Sequence, residues 1–368
     1  MNKDKCDKIA CAKKTSIGGQ ALIEGIMMRG PKRTAMAVRN PEGKIVLEEW
    51  DTDSPKRAKI FKLPFVRGMF NFIDSMKMGY KCLMRSAEIA GLEEEEPKPK
   101  KEKKRKKNQE NADFSADTAE QKQESKDSSK DDSALMAVIM VIATVLGVAL
   151  AVGLFMILPS YIYKWSVALF PALKPENDIL NSLVKSVFEG VLKIVVLVAY
   201  MSLVSLMKDI RKTFQYHGAE HKTIFCYESG EELTVENVRR QRRFHPRCGT
   251  SFLILMLIVS IFISFFIDPL FLLTIGKIPP TFVRVIIKLL LIPLMMGIGY
   301  ELIKLAGRHD NLFTRIISAP GMWLQHVTVL EPTDDMIECA ITAFVKVIPE
   351  EEKPAEEAPE EEKTETEN

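Results

Sequence analysis

Residues Ala134 to Leu158, ALMAVIMVIATVLGVALAVGLFMIL, form a run of 25 residues without a charge. At 1.5 Å of rise per residue a helix of that length reaches about 37 Å, more than the roughly 30 Å of a bilayer's hydrocarbon core. Lipid offers the backbone no hydrogen-bond partner, so the run predicts a membrane-spanning helix, and the rest of the chain is read around it. Three further apolar stretches follow. Val187 to Met207 carries Glu189 and Lys193, which sit four apart and can either pair on one helix face or reach for the membrane interface. Ser251 to Ile267 is closed by Asp268-Pro269. Val283 to Leu305 holds Lys288 near its outer end and should kink at Pro293. The expected fold class is an α-helical integral membrane protein of about four transmembrane helices, with a small N-terminal α+β region in the cytosol.

The formal net charge of +2 averages unlike parts. Residues 350–368 hold ten Glu against two Lys, and 91–133 hold thirteen acidic against eleven basic residues, which leaves +12 on the remainder. A basic remainder suits contact with anionic lipid. Lys208, Arg211, Lys212, Lys222, Arg239, Arg240, Arg242, Arg243 and Arg247 crowd the loop 208–250, whereas 159–186 and 268–282 carry few basic residues. Positive charge stays inside, so the expected placement is the plasma membrane, multi-pass, with both termini and the 208–250 loop cytoplasmic. The lysine-rich first twenty residues lack an apolar core, and no cleavable signal peptide is expected. Six cysteines without a Cys-x-x-Cys indicate a reduced compartment and no disulfides.

Before the first span, residues 17–90 read as a β-hairpin layer with strands Gln20 to Met28, Thr34 to Arg39 and Lys44 to Trp50. An amphipathic helix follows from Pro64 to about Ala90. That helix either packs on its own domain or lies in the membrane interface with its basic residues at the lipid phosphates. Residues 91–133 are too polar to offset their ordering entropy and read as a disordered charged linker. Lys103 to Lys107 lie near Glu93 to Glu96 with no aromatic residue interleaved, so the expected partner is the lipid bilayer and not nucleic acid. The membrane region, 134–348, should end in short helices at Leu312 to Ser318 and Pro320 to His326, then one capped by Thr333. An acidic disordered tail occupies 349–368.

Chemistry concentrates in the 208–250 loop, where three of the five histidines lie. In His217-x-x-Glu220-His221 the two imidazoles share a helix face and can bind one ion, and Glu220 is close enough to act as general base on a metal-bound water. The bland alternative is a pair of interfacial histidines on a basic helix. A divalent metal, with zinc the candidate, needs further ligands. Glu301, at the cytosolic end of the fourth span, would complete an open, hydrolase-like His-His-Glu site, or else simply pair with Lys304 or Arg308. His245 and Cys248 would instead complete a closed, structural His-His-His-Cys site. His309 and His326 are more isolated. No phosphate-cradling glycine loop follows a strand.

Several motifs together resemble one family. They are Gly18-Gly19-Gln20-Ala21 with Glu24-Gly25 and Met27-Met28-Arg29-Gly30, then His217 to Lys222, His245 to Phe252, and Pro320-Gly321-x-Trp323-Leu324-Gln325. The chain is similar in these to the uncharacterised bacterial membrane proteins of the YqhQ type, over about 17–90 and 134–348. The resemblance implies an integral membrane protein, labelled in that family as a metal-dependent enzyme on the strength of the same histidine motif. Two functions are therefore expected in competition. One is a metal-dependent hydrolase acting on a membrane-proximal peptide or lipid. The other is a non-enzymatic membrane scaffold or regulator with a structural metal or none. Transport is weaker, because no repeated half is evident.

Overall fold

The computed structural model describes residues 15–52, 63, 66–91, 138–139, 141–246, 248–308 and 311–349. Strands β1 (Gly18–Leu22), β2 (Gly25–Arg29), β3 (Arg33–Arg39) and β4 (Ile45–Asp51) are followed by helix α1 (Val66–Ile89). Next come α2 (Val141–Leu169), α3 (Asp178–Val204), α4 (Lys208–Glu228), α5 (Val235–Arg240) and α6 (Gly249–Ile275). The described residues close with α7 (Thr281–Leu290), α8 (Ile292–Arg308), α9 (Leu312–Thr328) and α10 (Asp334–Val347). The linker expected at 91–133 and the acidic tail fall almost wholly outside the described residues.

The strands form one antiparallel meander in sequence order. The stretch from Gln20 to Met28, expected as one strand, is two. Leu22 pairs with Gly25 across a tight turn in which Glu24 takes the left-handed region at φ 48°. Nearly all of β2 and β3 is buried, because both faces of the sheet are covered. Leu22, Met27, Met36 and Val38 meet Cys82 of α1 on one side. Ile26, Met28, Ala35 and Ala37 join Phe344 and Ala340 of α10, with Tyr216 of α4, on the other. This double coverage explains apolar runs where a half-exposed strand would alternate.

Among the described residues, three helices, α2, α3 and α6, are long and apolar enough to cross a membrane. The pair α7 and α8 makes a fourth such unit, bent by 51°. These are compatible with a multi-pass membrane protein. Their limits differ from expectation for local reasons. The first apolar helix continues beyond Leu158 to Leu169, passing Pro159 through a π-turn at Gly153–Ile157 that widens the backbone ahead of the proline. The second begins nine residues early, at Asp178, where Asn177 Oδ1 accepts from the Ile179 and Leu180 amides at 3.0 and 3.1 Å. Glu189, expected to pair with Lys193, instead has Lys185 and Lys288 at 3.7 Å each and accepts from Ser160 at 2.7 Å. The third helix runs past Asp268-Pro269 to Ile275, since Arg284 meets Asp268 at 2.7 Å and removes the reason for a polar stop. The expected kink at Pro293 is a break at Leu291. The proline has no N–H for the Leu289 carbonyl and its ring crowds that oxygen.

Past α8, the two expected short helices are one, α9, with Pro320 inside it. Asn311 and Thr314 close its N-terminus with a reciprocal capping box. All four described cysteines are free and buried. Helix α1 does two things. Its C-terminal half covers the sheet, and its N-terminal half packs on α8 and α6 through Asn71 to Tyr300 Oη at 3.0 Å and Phe72 against Phe252.

Candidate metal centre

Helix α4 follows α3 after a break at 205–207, where Met207 is extended at ψ 132°. From Gly218 to Ile224 it is buried nearly all round, between the sheet and α10 on one side and the segment after α9 on the other. Gly218 makes that approach possible. A Cβ there would stand 2.0 Å from the Leu330 carbonyl oxygen. The Leu330 amide in turn donates to the Phe214 carbonyl at 3.0 Å, tying α4 to the 328–332 segment.

That packing aims the histidines. His217 Nδ1 lies 3.0 Å from the Thr328 carbonyl oxygen, and His221 Nδ1 contacts the Arg243 carbonyl oxygen. A carbonyl only accepts, so each Nδ1 carries a proton, and in the neutral ring that leaves each Nε2 with the lone pair a metal would use. Metal-bound histidines are oriented in this way by the partner of their other nitrogen. Cys248 Sγ lies 3.1 Å from His217 Nε2, at the N-cap of α6, where it also accepts from the Thr250 amide at 3.4 Å. Ligand atoms of His217, His221 and Cys248 all fall within 4.8 Å of one another, a group that could hold a metal ion. The 3.1 Å contact is a hydrogen-bond length. A tetrahedral zinc with ordinary Zn–N and Zn–S bonds would set those atoms about 3.5 Å apart, a small opening.

The remaining expected ligands lie elsewhere. His245 is adjacent, with its ring 5.6 Å from that of His221, but its Nε2 points toward Glu228 at 3.9 Å. Its backbone is fixed by Gln325, which accepts from the His245 amide and donates to its carbonyl, both at 2.8 Å. Glu301 is not among the clustered ligand atoms. Arg67 of α1 forks its carboxylate at 2.7 and 2.6 Å. An Arg67→Met protein should therefore lose about 1–2 kcal/mol of stability, for a half-exposed charged pair, with metal content unchanged. Thermal melting beside metal analysis checks this; a drop in bound metal would return Glu301 to the ligand set.

Glu220 is buried and accepts from the Gly19 amide of β1 at 2.9 Å. Burial pushes its carboxyl up, while nearby His217 and the Gly19 N–H pull it down. A Cβ on Gly19 would meet Met27 O at 2.7 Å and Glu220 Cδ at 3.0 Å, so only glycine lets the strand come this close. Glu220 thus bolts the histidine helix to the sheet. Lys222, also buried, donates to the Arg239 carbonyl at 2.8 Å and pairs with Glu331, which reaches Arg243 at 3.2 Å as well. The Thr328 and Arg243 carbonyls that orient the histidines carry no side-chain pattern a sequence could reveal.

A small sheet, a set of membrane-length helices and a histidine–cysteine cluster where they join define a mostly helical protein, compatible with a multi-pass membrane protein, whose clustered ligands could hold a metal ion. The chain belongs to the family described as "protein of unknown function (DUF1385)", which matches residues 63–350. It is 31% identical over 335 residues to "Uncharacterized protein YqhQ" of Bacillus subtilis (strain 168), covering 90% of this chain and 92% of that protein. No solved structure matches.

Proposed function

We propose that the chain is a multi-pass plasma-membrane protein whose cytosolic sheet layer is stapled to its spans by a divalent metal, zinc by donor type, at His217, His221 and Cys248. The observation that carries this reading is the convergence of two Nε2 lone pairs, each fixed by a carbonyl behind it, on one thiol. The donors come from α4 and α6, and their orienting carbonyls from 243 and 328, so one ion would couple four separate segments. Two imidazoles and a sulfur suit zinc better than hard cations. The basic 208–250 loop supports a cytosolic placement. Met76, Tyr80 and Met84, exposed one turn apart on α1, support contact with the interface.

A second reading has one observation in its favour. Three protein ligands leave a tetrahedral ion one position for water, the count of a catalytic zinc. Glu220 would then serve as base in hydrolysis of a membrane-proximal peptide or lipid, at the cost of its bond to Gly19. The test strips metal with a chelator and follows melting. The staple predicts a lower midpoint that zinc restores, in Glu220→Gln as in wild type. Zinc-dependent cleavage of a peptide or phospholipid panel by wild type, lost in Glu220→Gln with metal still bound, would establish the hydrolase instead.

A further inference from the structure

The end of the helical layer opposite the histidine cluster carries a second charged site. The α2–α3 and α6–α7 connections meet there and line a cavity of about 470 Å³. Lys164, Lys174, Lys185 and Arg284 stand in its wall against one carboxylate, Asp268. Arg284 meets Asp268 at 2.7 Å, and Ser182 donates to the same oxygen at 3.2 Å. Arg284 Nε is buried and has no hydrogen-bond partner among the described residues. Beyond Lys185, Glu189 is held by Ser160, Lys185 and Lys288, with Lys193 buried a turn further along α3. In this interior group Lys185, Lys193, Arg284 and Lys288 outnumber Glu189 and Asp268. A surplus of cations amid apolar helices is costly unless an anion offsets it, and an orphaned buried donor asks for an acceptor.

We infer that this cavity binds a phosphate ester, with Arg284, Lys164, Lys174 and Lys185 as its donors. A phosphate presents several acceptor oxygens to a guanidinium fork and to ammonium groups together. Thr281 lines the same wall at the start of α7, where the first-turn amides lack helical acceptors and add donors. Tyr161 and Trp165 flank Lys164 on α2 and are 60% and 67% exposed. Exposed aromatic rings at the end of a span mark the headgroup level, which is where lipid phosphates lie. The inference rests on the membrane embedding proposed above and not on the metal.

The test uses the full chain purified in detergent. In one arm, native mass spectrometry counts phosphatidylglycerol or diacylglycerol, which lacks the phosphate, retained from nanodiscs. In the other, inorganic phosphate is titrated into lipid-free protein while melting is followed. The probe variant is Lys164→Gln with Lys174→Gln, since both side chains are exposed and leave the buried pairs intact. Retained phosphatidylglycerol without diacylglycerol, weakened about tenfold in the double variant at an unchanged melting point, supports a lipid phosphate. A melting shift with inorganic phosphate alone, lost in the same variant, supports a soluble ester. Equal retention of both lipids with no phosphate response, or binding indifferent to the double variant, overturns the inference. Metal content, followed in parallel, reports separately on the other site.

Discussion

A Gly218→Ala protein should melt roughly 5 °C below wild type and lose the metal proposed at His217, His221 and Cys248, a cost of about 3 kcal/mol, at the upper end of core overpacking. The added Cβ would lie 2.0 Å from the Leu330 carbonyl oxygen and 3.3 Å from Pro332 Cδ. Neither obstacle is the free end of a flexible side chain. Relief must come from moving the 328–332 backbone away from α4, and that same segment supplies the Thr328 carbonyl that orients His217. Stability and metal affinity should therefore fall together. A variant that melts within a degree of wild type would show that α4 does not pack against this segment.

The second large effect is expected at Asp268→Ala. Its carboxylate and the Arg284 guanidinium are only 7% and 12% exposed, and Arg284 already carries one unsatisfied nitrogen. Removing one partner of a buried pair leaves an uncompensated charge and typically costs about 3–5 kcal/mol. The paired change Asp268→Asn with Arg284→Gln removes both charges and should recover most of that loss, which a double-mutant cycle of melting midpoints would measure. A loss of less than about 1 kcal/mol for Asp268→Ala would mean the pair is hydrated and exposed.

The apolar runs made the helices legible, because twenty-odd uncharged residues have few other uses. Their ends were less so. A span boundary inferred from charge fails wherever the charge is paired inside the protein, as at Lys185 with Glu189 and at Asp268 with Arg284. The hairpin hidden in Gln20 to Met28 was missed because its turn uses Glu24 at positive φ, with glycine only at the following position.

The site divides in the same way. His217 and His221 follow from helical spacing, and Cys248 was a candidate through its place before the third span. Glu301 looked like a ligand only while Arg67, more than two hundred residues away, could not be seen beside it. His245 lies in the same loop as Cys248, yet Gln325 fixes its backbone and its Nε2 points toward Glu228. Glu220 reads as a general base from its spacing alone, whereas its partner in space is a backbone amide of the first strand.

The most direct measurement is the metal content of freshly purified full-length protein, wild type beside His217→Ala, His221→Ala and Cys248→Ser, with His245→Ala and Glu301→Gln as controls. A metal centre at His217, His221 and Cys248 should give one equivalent of zinc in wild type, lost in the first three proteins and kept in the two controls. No metal in wild type, or metal that survives Cys248→Ser and leaves with His245 or Glu301, would contradict it.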